Sequence, residues 1–375
     1  MVDESRVVVV GAGLAGLRVV ESLRDKGSEA SVVLVGDEQH QPYDRPPLSK
    51  HVLRGDREPM YLREEYDTLG VDLRLGVTAT GLGDHVLRTS EGDLEFDHLV
   101  IATGAAPRRL PGSPGLVLRT LDDARALSPY LAPGKTLGVV GAGLIGCEVA
   151  ASARTKEAEV HLVDVLDGPL IRVLGPTLSE RIADLHREHG VHLHLGTGVA
   201  SAASDRLELS DGTVLDVDVV LEAMGVVPSV GWLEGSGLTL ANGVVCDAGG
   251  RAGDGVWAVG DVANWAGVRH EHWTSAGEQA ATVAAAITGV PVAHDALPYW
   301  WSDQYDVKLQ GLGATAADDD VVMVEVGPRQ RPMAVYSRGG RLTGVVGFSA
   351  GAAVMKQRQH IIDGTGVDEV LAGLA

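Results

Sequence analysis

A chain of 375 residues is long enough for two or three domains, each with its own core, and 45% apolar content is ordinary for a globular protein. Its 31 Lys and Arg against 51 Asp and Glu leave a formal charge of −20, which argues against a nucleic-acid partner, because phosphate recognition needs a basic surface. The two cysteines, Cys147 and Cys246, cannot make a disulfide framework and suit a reducing compartment.

The start, MVDESRVVVVGAG, passes from a polar stretch straight into a strand, without the basic stretch, apolar segment and cleavage site of a signal peptide. From Arg6, RVVVVGAGLAGLRVVESL reads as an apolar strand, a turn carrying Gly11, Gly13 and Gly16, and a helix. An apolar run without alternation is the mark of a parallel strand buried on both faces. The glycines allow a tight turn, approach of backbone to a pyrophosphate and close helix packing, while the helix N-terminus supplies positive potential. A second strand, ASVVLVGDE, ends at Asp37 and Glu38, about twenty residues past Gly16, where a carboxylate accepts from a ribose hydroxyl. RPPLSK at 45–50 follows, with two prolines and a lysine but no cysteine.

The pattern recurs in KTLGVVGAGLIGCEVAAS, with Gly141, Gly143 and Gly146, and the next strand, AEVHLVD, ends at Asp164. Two fingerprints, each between a strand and a helix and each followed by an acid, predict an α/β protein with two Rossmann-like dinucleotide-binding domains. Asp164 is followed by Val165, Leu166 and Asp167, with no basic residue before Arg172, so a 2′-phosphate would face carboxylates and NADH is expected over NADPH. In HREHGVHLHLG, His192 and His194 alternate on a strand. With His186 and His189 they read as surface residues, since no Cys or carboxylate cluster completes a metal site, and no metal is expected. GVWAVGD at 255–261 reads as a buried strand returning to the first sheet, and ITGVPVAHDALP at 287–298 as a linker. The most apolar long run, from Ala280, is broken by Gly289 and Pro291 and is too short to cross a bilayer; a cytoplasmic protein with no membrane partner is the expectation.

Eight segments together carry a family likeness: GAGLAGLR, GDE, PYDRPPLSK, IATGAAPR, LRTLDDA, GAGLIGCEVAAS, AVGDVA and WWSDQ. Through them nearly the whole chain resembles the FAD-dependent NAD(P)H:ferredoxin reductases that serve bacterial oxygenases. PYDRPPLSK and WSDQ are more specific than the glycine patterns, which all relatives of glutathione reductase share. The resemblance implies a glutathione-reductase-like fold. A discontinuous FAD domain would span 1–112 and 236–295, an NADH domain 113–235, and a C-terminal α+β interface domain 296–375. The turn-rich PRRLPGSPG near 107–115 suits the first hinge.

The same resemblance implies site residues. Gly260 and Asp261 of AVGDVA would meet the ribityl chain of FAD. Ala102, Thr103 and Gly104 would pass close to the cofactor, with Arg119 nearby. Arg45 and Lys50 would lie along the pyrophosphate and flavin, and Glu271, His272 and Trp273 beside the ring. Trp301 would lie over the flavin or at the ferredoxin face. Leu14, Ala15 and Val77 join the FAD set, and Leu144, Ile145, Arg172 and Gly225 the NADH set. Lys50 and Glu148 would pair beside the flavin N5, an ammonium stabilising negative charge on the reduced ring and a carboxylate orienting it.

With no cysteine pair at 45–50, electrons cannot pass to a protein disulfide there, so the flavin itself must hand them on. The resemblance implies a two-iron two-sulfur ferredoxin as acceptor, feeding a P450 or Rieske oxygenase. Cys147 and Cys246 read as packing residues. Ferredoxins are normally acidic, and from Val326 to Ile362 the chain has no Asp or Glu but carries Arg329, Arg331, Arg338, Arg341, Lys356 and Arg358, a candidate basic face. Two other functions stay open: an NADH oxidase or reductase of a small acceptor, and a redox-sensing interaction protein.

Overall fold

Burial on both faces accounts for the unbroken valines. In the computed structural model Arg6–Val10 lies inside a six-stranded sheet, with Val7, Val8 and Val9 fully enclosed. The structure describes residues 5–290 and 297–374, so part of the expected linker at 287–298 lies outside the described residues. The chain forms two compact units: Met1–Asp44, Met60–Ala106 and Val227–Ala296 make the first, and Arg45–Pro59, Pro107–Val226 and Leu297–Ala375 the second.

In the first unit the sheet runs in the order Arg251–Gly253, Val256–Ala258, His98–Ile101, Arg6–Val10, Ser31–Gly36, Val71–Leu75. Arg6–Val10 pairs in parallel with both neighbours, and Val256–Ala258 returns in parallel to His98–Ile101, as the sequence predicts. The helix Leu14–Asp25 buries Leu17, Val20 and Leu23, one stripe at helical spacing. Against it packs Trp273–Ile287, whose buried Ala280 and Ala284 let two helices approach closely. Three antiparallel strands, Ala79–Leu82, Val86–Thr89 and Gly92–Glu95, bury Leu87 and Leu94 and leave the residues beside them toward solvent.

The second unit repeats the theme with a four-stranded parallel sheet in the order His192–Leu195, Glu159–Asp164, Thr136–Val140, Val219–Glu222. The helix Leu144–Thr155 is buried from Gly146 to Ala153. The helix Ile171–Glu188 breaks at Gly175 (φ 70°, ψ 176°), and Pro176 starts its second piece, where a missing N–H costs no hydrogen bond. The same unit holds a five-stranded antiparallel sheet, ordered Tyr299–Gln304, Val307–Gly313, Arg341–Phe348, Arg331–Arg338, Asp320–Val326, with short helices from Gly351 onward. Leu312, Met333, Val335, Val345 and Val354 form its core. Two Rossmann-like sheets and an α+β module give the expected class.

One expectation needs correcting. His186 is no surface residue. It is fully enclosed, on the stripe of Leu178, Ile182 and Ala183, and its Nδ1 meets the Tyr305 hydroxyl at 2.9 Å. His189 is exposed but stacks on the Tyr305 ring, with centroids 3.6 Å apart.

Candidate active site

The first glycine turn is shaped by its neighbours. Gly11 has φ +111°, and a Cβ placed there would lie 2.1 Å from the Ala102 carbonyl oxygen and 2.9 Å from the Thr103 nitrogen, so only glycine lets IATG run against the turn. Gly13, capping Leu14–Asp25 without a side-chain bond, is the opposite case: no described atom lies within 4 Å of a Cβ there. An open face at a helix N-terminus whose first N–H groups need an acceptor fits a pyrophosphate. Gly16 packs on the Gly11 carbonyl, and Gly260 on the Cβ of Ala15. Gly260 N–H donates to Gln279 Oε1 (2.7 Å), while Gln279 Nε2, fully buried, finds no acceptor among the described residues.

Other expected FAD residues gather in the same unit. Val77 N–H donates to the Gly36 carbonyl (2.8 Å) at the end of Ser31–Gly36. Asp37 is exposed there, while Glu38 Oε2 accepts from the Tyr43 hydroxyl (2.6 Å). Thr103 Oγ1 donates to the Ser229 carbonyl, and Ser229 N–H to Gly104, each at 3.0 Å. The Asp261 carbonyl accepts from Arg269 (3.1 Å), whose guanidinium also pairs with Glu271 at 2.5 Å. His272 precedes the helix Trp273–Ile287, and burial holds its pKa low, with His270 adding and Asp261 opposing. Trp273 Nε1 donates to Asp44 (2.9 Å).

The second glycine turn repeats the first. Gly141 has φ +107° with a Cβ position 2.4 Å from the Ala223 carbonyl oxygen, Gly146 packs on Gly141, and Gly143 faces open space. Leu144 and exposed Ile145 begin the helix. Its acid is differently employed: Asp164 Oδ2 accepts from Ala142 N–H (2.7 Å) and Oδ1 from Leu166 N–H (2.9 Å), so the carboxylate braces its own turn. Arg172 is exposed at the start of its helix, and the Gly225 carbonyl accepts from Arg108 (2.9 Å). Both turns fit a bound dinucleotide.

The pair that the resemblance implies between RPPLSK and GAGLIGCE is formed. Lys50 and Glu148 keep only 5% and 3% of their surface exposed, and Lys50 Nζ lies 2.7 Å from Glu148 Oε2. Pro46 carbonyl accepts from the same ammonium at 3.0 Å. Two residues outside the sequence-derived set complete the group: Ser49 Oγ donates to Glu148 Oε2, and Ser302 Oγ to Oε1 at 2.7 Å. A buried carboxylate repays its desolvation only with several donors, and this one has three. Ser152 Oγ ties the Ser49 carbonyl to the helix of Glu148 (2.7 Å). Both serines sit in the quoted motifs. Strand alternation, which buries Trp300, Ser302 and Gln304 and leaves Trp301 partly exposed, was the signal that could have found Ser302. Arg45 reaches Arg119, donating to its carbonyl at 2.7 Å.

Neither thiol is placed to react. Burial pushes the Cys147 thiol far up, with Glu148 and Asp164 adding, and pushes Cys246 up to about 12, so both stay protonated. Of the six cations between Val326 and Ile362, all are exposed, but Arg338 is neutralised by Asp319 at 2.7 Å and Arg341 is held to the Gly364 carbonyl at 2.7 Å. Trp301 lies beside Tyr299, with Lys308 Nζ 5.9 Å from its ring centroid.

Comparison with known proteins agrees with this geometry. Residues 5–280 match the family model for pyridine nucleotide-disulphide oxidoreductases, and 299–373 a reductase C-terminal model. The chain is 38% identical to rhodocoxin reductase of Rhodococcus erythropolis, covering 84% of this chain and 80% of that protein. It is 37% identical to the ferredoxin–NAD(+) reductase component of the p-cumate 2,3-dioxygenase system of Pseudomonas putida, covering 84% and 82%. A crystal structure of the covalent putidaredoxin reductase–putidaredoxin complex matches with a TM-score of 0.91 at 33% identity, over 96% of this chain and 93% of that one. Paired glycine turns and a buried Lys–Glu pair therefore sit in a chain that belongs to the pyridine nucleotide-disulphide oxidoreductase family.

Proposed function

We propose that this chain is an FAD-dependent NADH:ferredoxin reductase, delivering single electrons to a two-iron two-sulfur ferredoxin of an oxygenase system. The observation that carries the reading is the buried Lys50–Glu148 pair in a chain whose only two cysteines are buried and held protonated. Support comes from relatives named as ferredoxin–NAD(+) reductases and from a neighbour solved joined to its putidaredoxin. We assign FAD to 1–112 and 236–295, NADH to 113–235 and the partner face to 296–375.

FAD, when bound, supplies the conversion of a two-electron hydride donor into single electrons. The chain's own work is holding and charge. The open turn at Gly13 would take the FAD pyrophosphate and the matching turn at Gly143 that of NADH. Lys50 would bring fixed positive charge to the transfer step, and Glu148 would keep that ammonium oriented. Asp164 and Asp167, with no cation before Arg172, disfavour a 2′-phosphate. Exposed Arg329, Arg331, Lys356 and Arg358 would steer an acidic partner.

Anaerobic NADH should bleach the yellow protein within seconds, and cytochrome c reduction should require added ferredoxin and fall as salt rises. Lys50→Met should slow flavin reduction about 100-fold or more with FAD retained, an effect of the size seen when a preorganised charge is lost. Fast oxygen consumption indifferent to ferredoxin would replace this reading with an NADH oxidase.

A further inference from the structure

We propose that Ser302 is a positioning residue for hydride transfer: its hydroxyl fixes the second oxygen of Glu148 and through it the Lys50 ammonium. The inference rests on the reductase reading above and extends the reaction machinery to the first strand of the C-terminal sheet.

The two oxygens of the Glu148 carboxylate are held from different parts of the chain. Oε2 already accepts from Lys50 Nζ and Ser49 Oγ, both from one short segment. A carboxylate held at one oxygen keeps a soft terminal torsion, because rotation about the last bond of Glu is broad and roughly two-fold. Ser302 supplies the second anchor, at Oε1 and 2.7 Å, from 154 residues away. Two anchors on different oxygens fix the plane of the group, and with it the direction in which Lys50 is drawn.

The hydroxyl is itself aimed. A serine has one hydrogen to donate. Gln304 Nε2 donates into Ser302 Oγ at 3.3 Å, which leaves that single hydrogen for Glu148. Ser302 and Gln304 are both fully buried, so water does not compete. The backbone allows no drift either, since Tyr299–Gln304 pairs antiparallel with Val307–Gly313 in the register Ser302↔Leu309 and Gln304↔Val307. A surface serine could turn to solvent when its partner moves; this one has no such alternative. Removing its Oγ leaves a buried anionic oxygen without its donor, the costly half of a broken hydrogen bond.

The experiment compares Ser302→Ala and Ser302→Thr in the full-length protein. In stopped-flow reduction by NADH, Ser302→Ala should lower the limiting rate about tenfold, the size of one lost charge-assisted bond. The NADH concentration giving half that rate should stay within twofold. Ser302→Thr, which keeps the hydroxyl, should restore the rate to within about threefold. In parallel, without NADH, acylation of Lys50 by an N-hydroxysuccinimide ester, read by peptide mass spectrometry, should rise severalfold in Ser302→Ala and not in Ser302→Thr. A wild-type reduction rate in Ser302→Ala overturns the proposal, as does a slowed rate that Thr does not rescue with Lys50 labelling unchanged, which would mark Ser302 as packing. Should the purified protein take up no flavin, the reductase reading fails, while the labelling comparison still decides whether Ser302 holds Lys50.

Discussion

The two glycine turns of this chain are nearly the same object, and the acids that follow them are not. Gly11 and Gly141 share a positive φ and press on a backbone carbonyl, and Gly13 and Gly143 both face open space. Beyond the first turn Asp37 is exposed and Glu38 is engaged by Tyr43. Beyond the second, both oxygens of Asp164 accept from backbone N–H groups of the turn and the following loop. A fingerprint thus secures the geometry of its turn, while the use of its acid depends on whether nearby N–H groups need an acceptor.

The contrast within each turn can be broken most forcefully by alanine. Gly11→Ala or Gly141→Ala drives a Cβ into a backbone carbonyl at a φ alien to alanine, and should destabilise the chain by about 3 kcal/mol or more, read by thermal unfolding. Gly13→Ala and Gly143→Ala meet no described atom, so unfolding should shift by less than about 1 kcal/mol. The expected loss is instead in ligand affinity, for FAD and NADH respectively. Equal destabilisation by all four would show that the faces at Gly13 and Gly143 are not open, and undiminished affinity in Gly13→Ala and Gly143→Ala that they are not ligand faces.

A second difference concerns buried imidazoles. His186 in the second unit is fully enclosed and its pKa is lowered to about 4 from 6.5, mainly by burial, with the Gln304 side chain opposing. Between those values the unfolded chain binds a proton that the folded chain refuses, so stability rises with pH across the window and is fully present above it. The contribution is up to about 3 kcal/mol. His186→Gln should flatten denaturant-derived stability between pH 4 and 6.5; an unchanged slope would assign acid sensitivity to other groups.

The smallest effect belongs to Asp37, and its contrast is Asp164. Asp164→Asn offers one oxygen where two N–H groups now bond, and should cost about 1–3 kcal/mol, with only a modest gain in NADPH use. Asp37→Asn, exposed and outside such a brace, should leave unfolding within about 0.5 kcal/mol. Matching losses in the two variants would erase the distinction between them.

The amino-acid order alone determined both strand–turn–helix units and the silence of the cysteines, because each follows from local period, backbone freedom or residue chemistry, whereas the pairing of Lys50 with Glu148 followed only from the family resemblance. His186 was legible in part: its i, i+4 stripe with Leu178 and Ile182 outranks the polarity of HREH, and the ring is enclosed. Only the tertiary structure decided that Ser302 completes the Glu148 carboxylate, that Asp164 braces its own turn, and that Arg338 is neutralised by Asp319. The reason is that a polar side chain serves whichever unsatisfied partner folding brings within about 3 Å. For Ser302 that partner lies 154 residues away, where no local pattern records it.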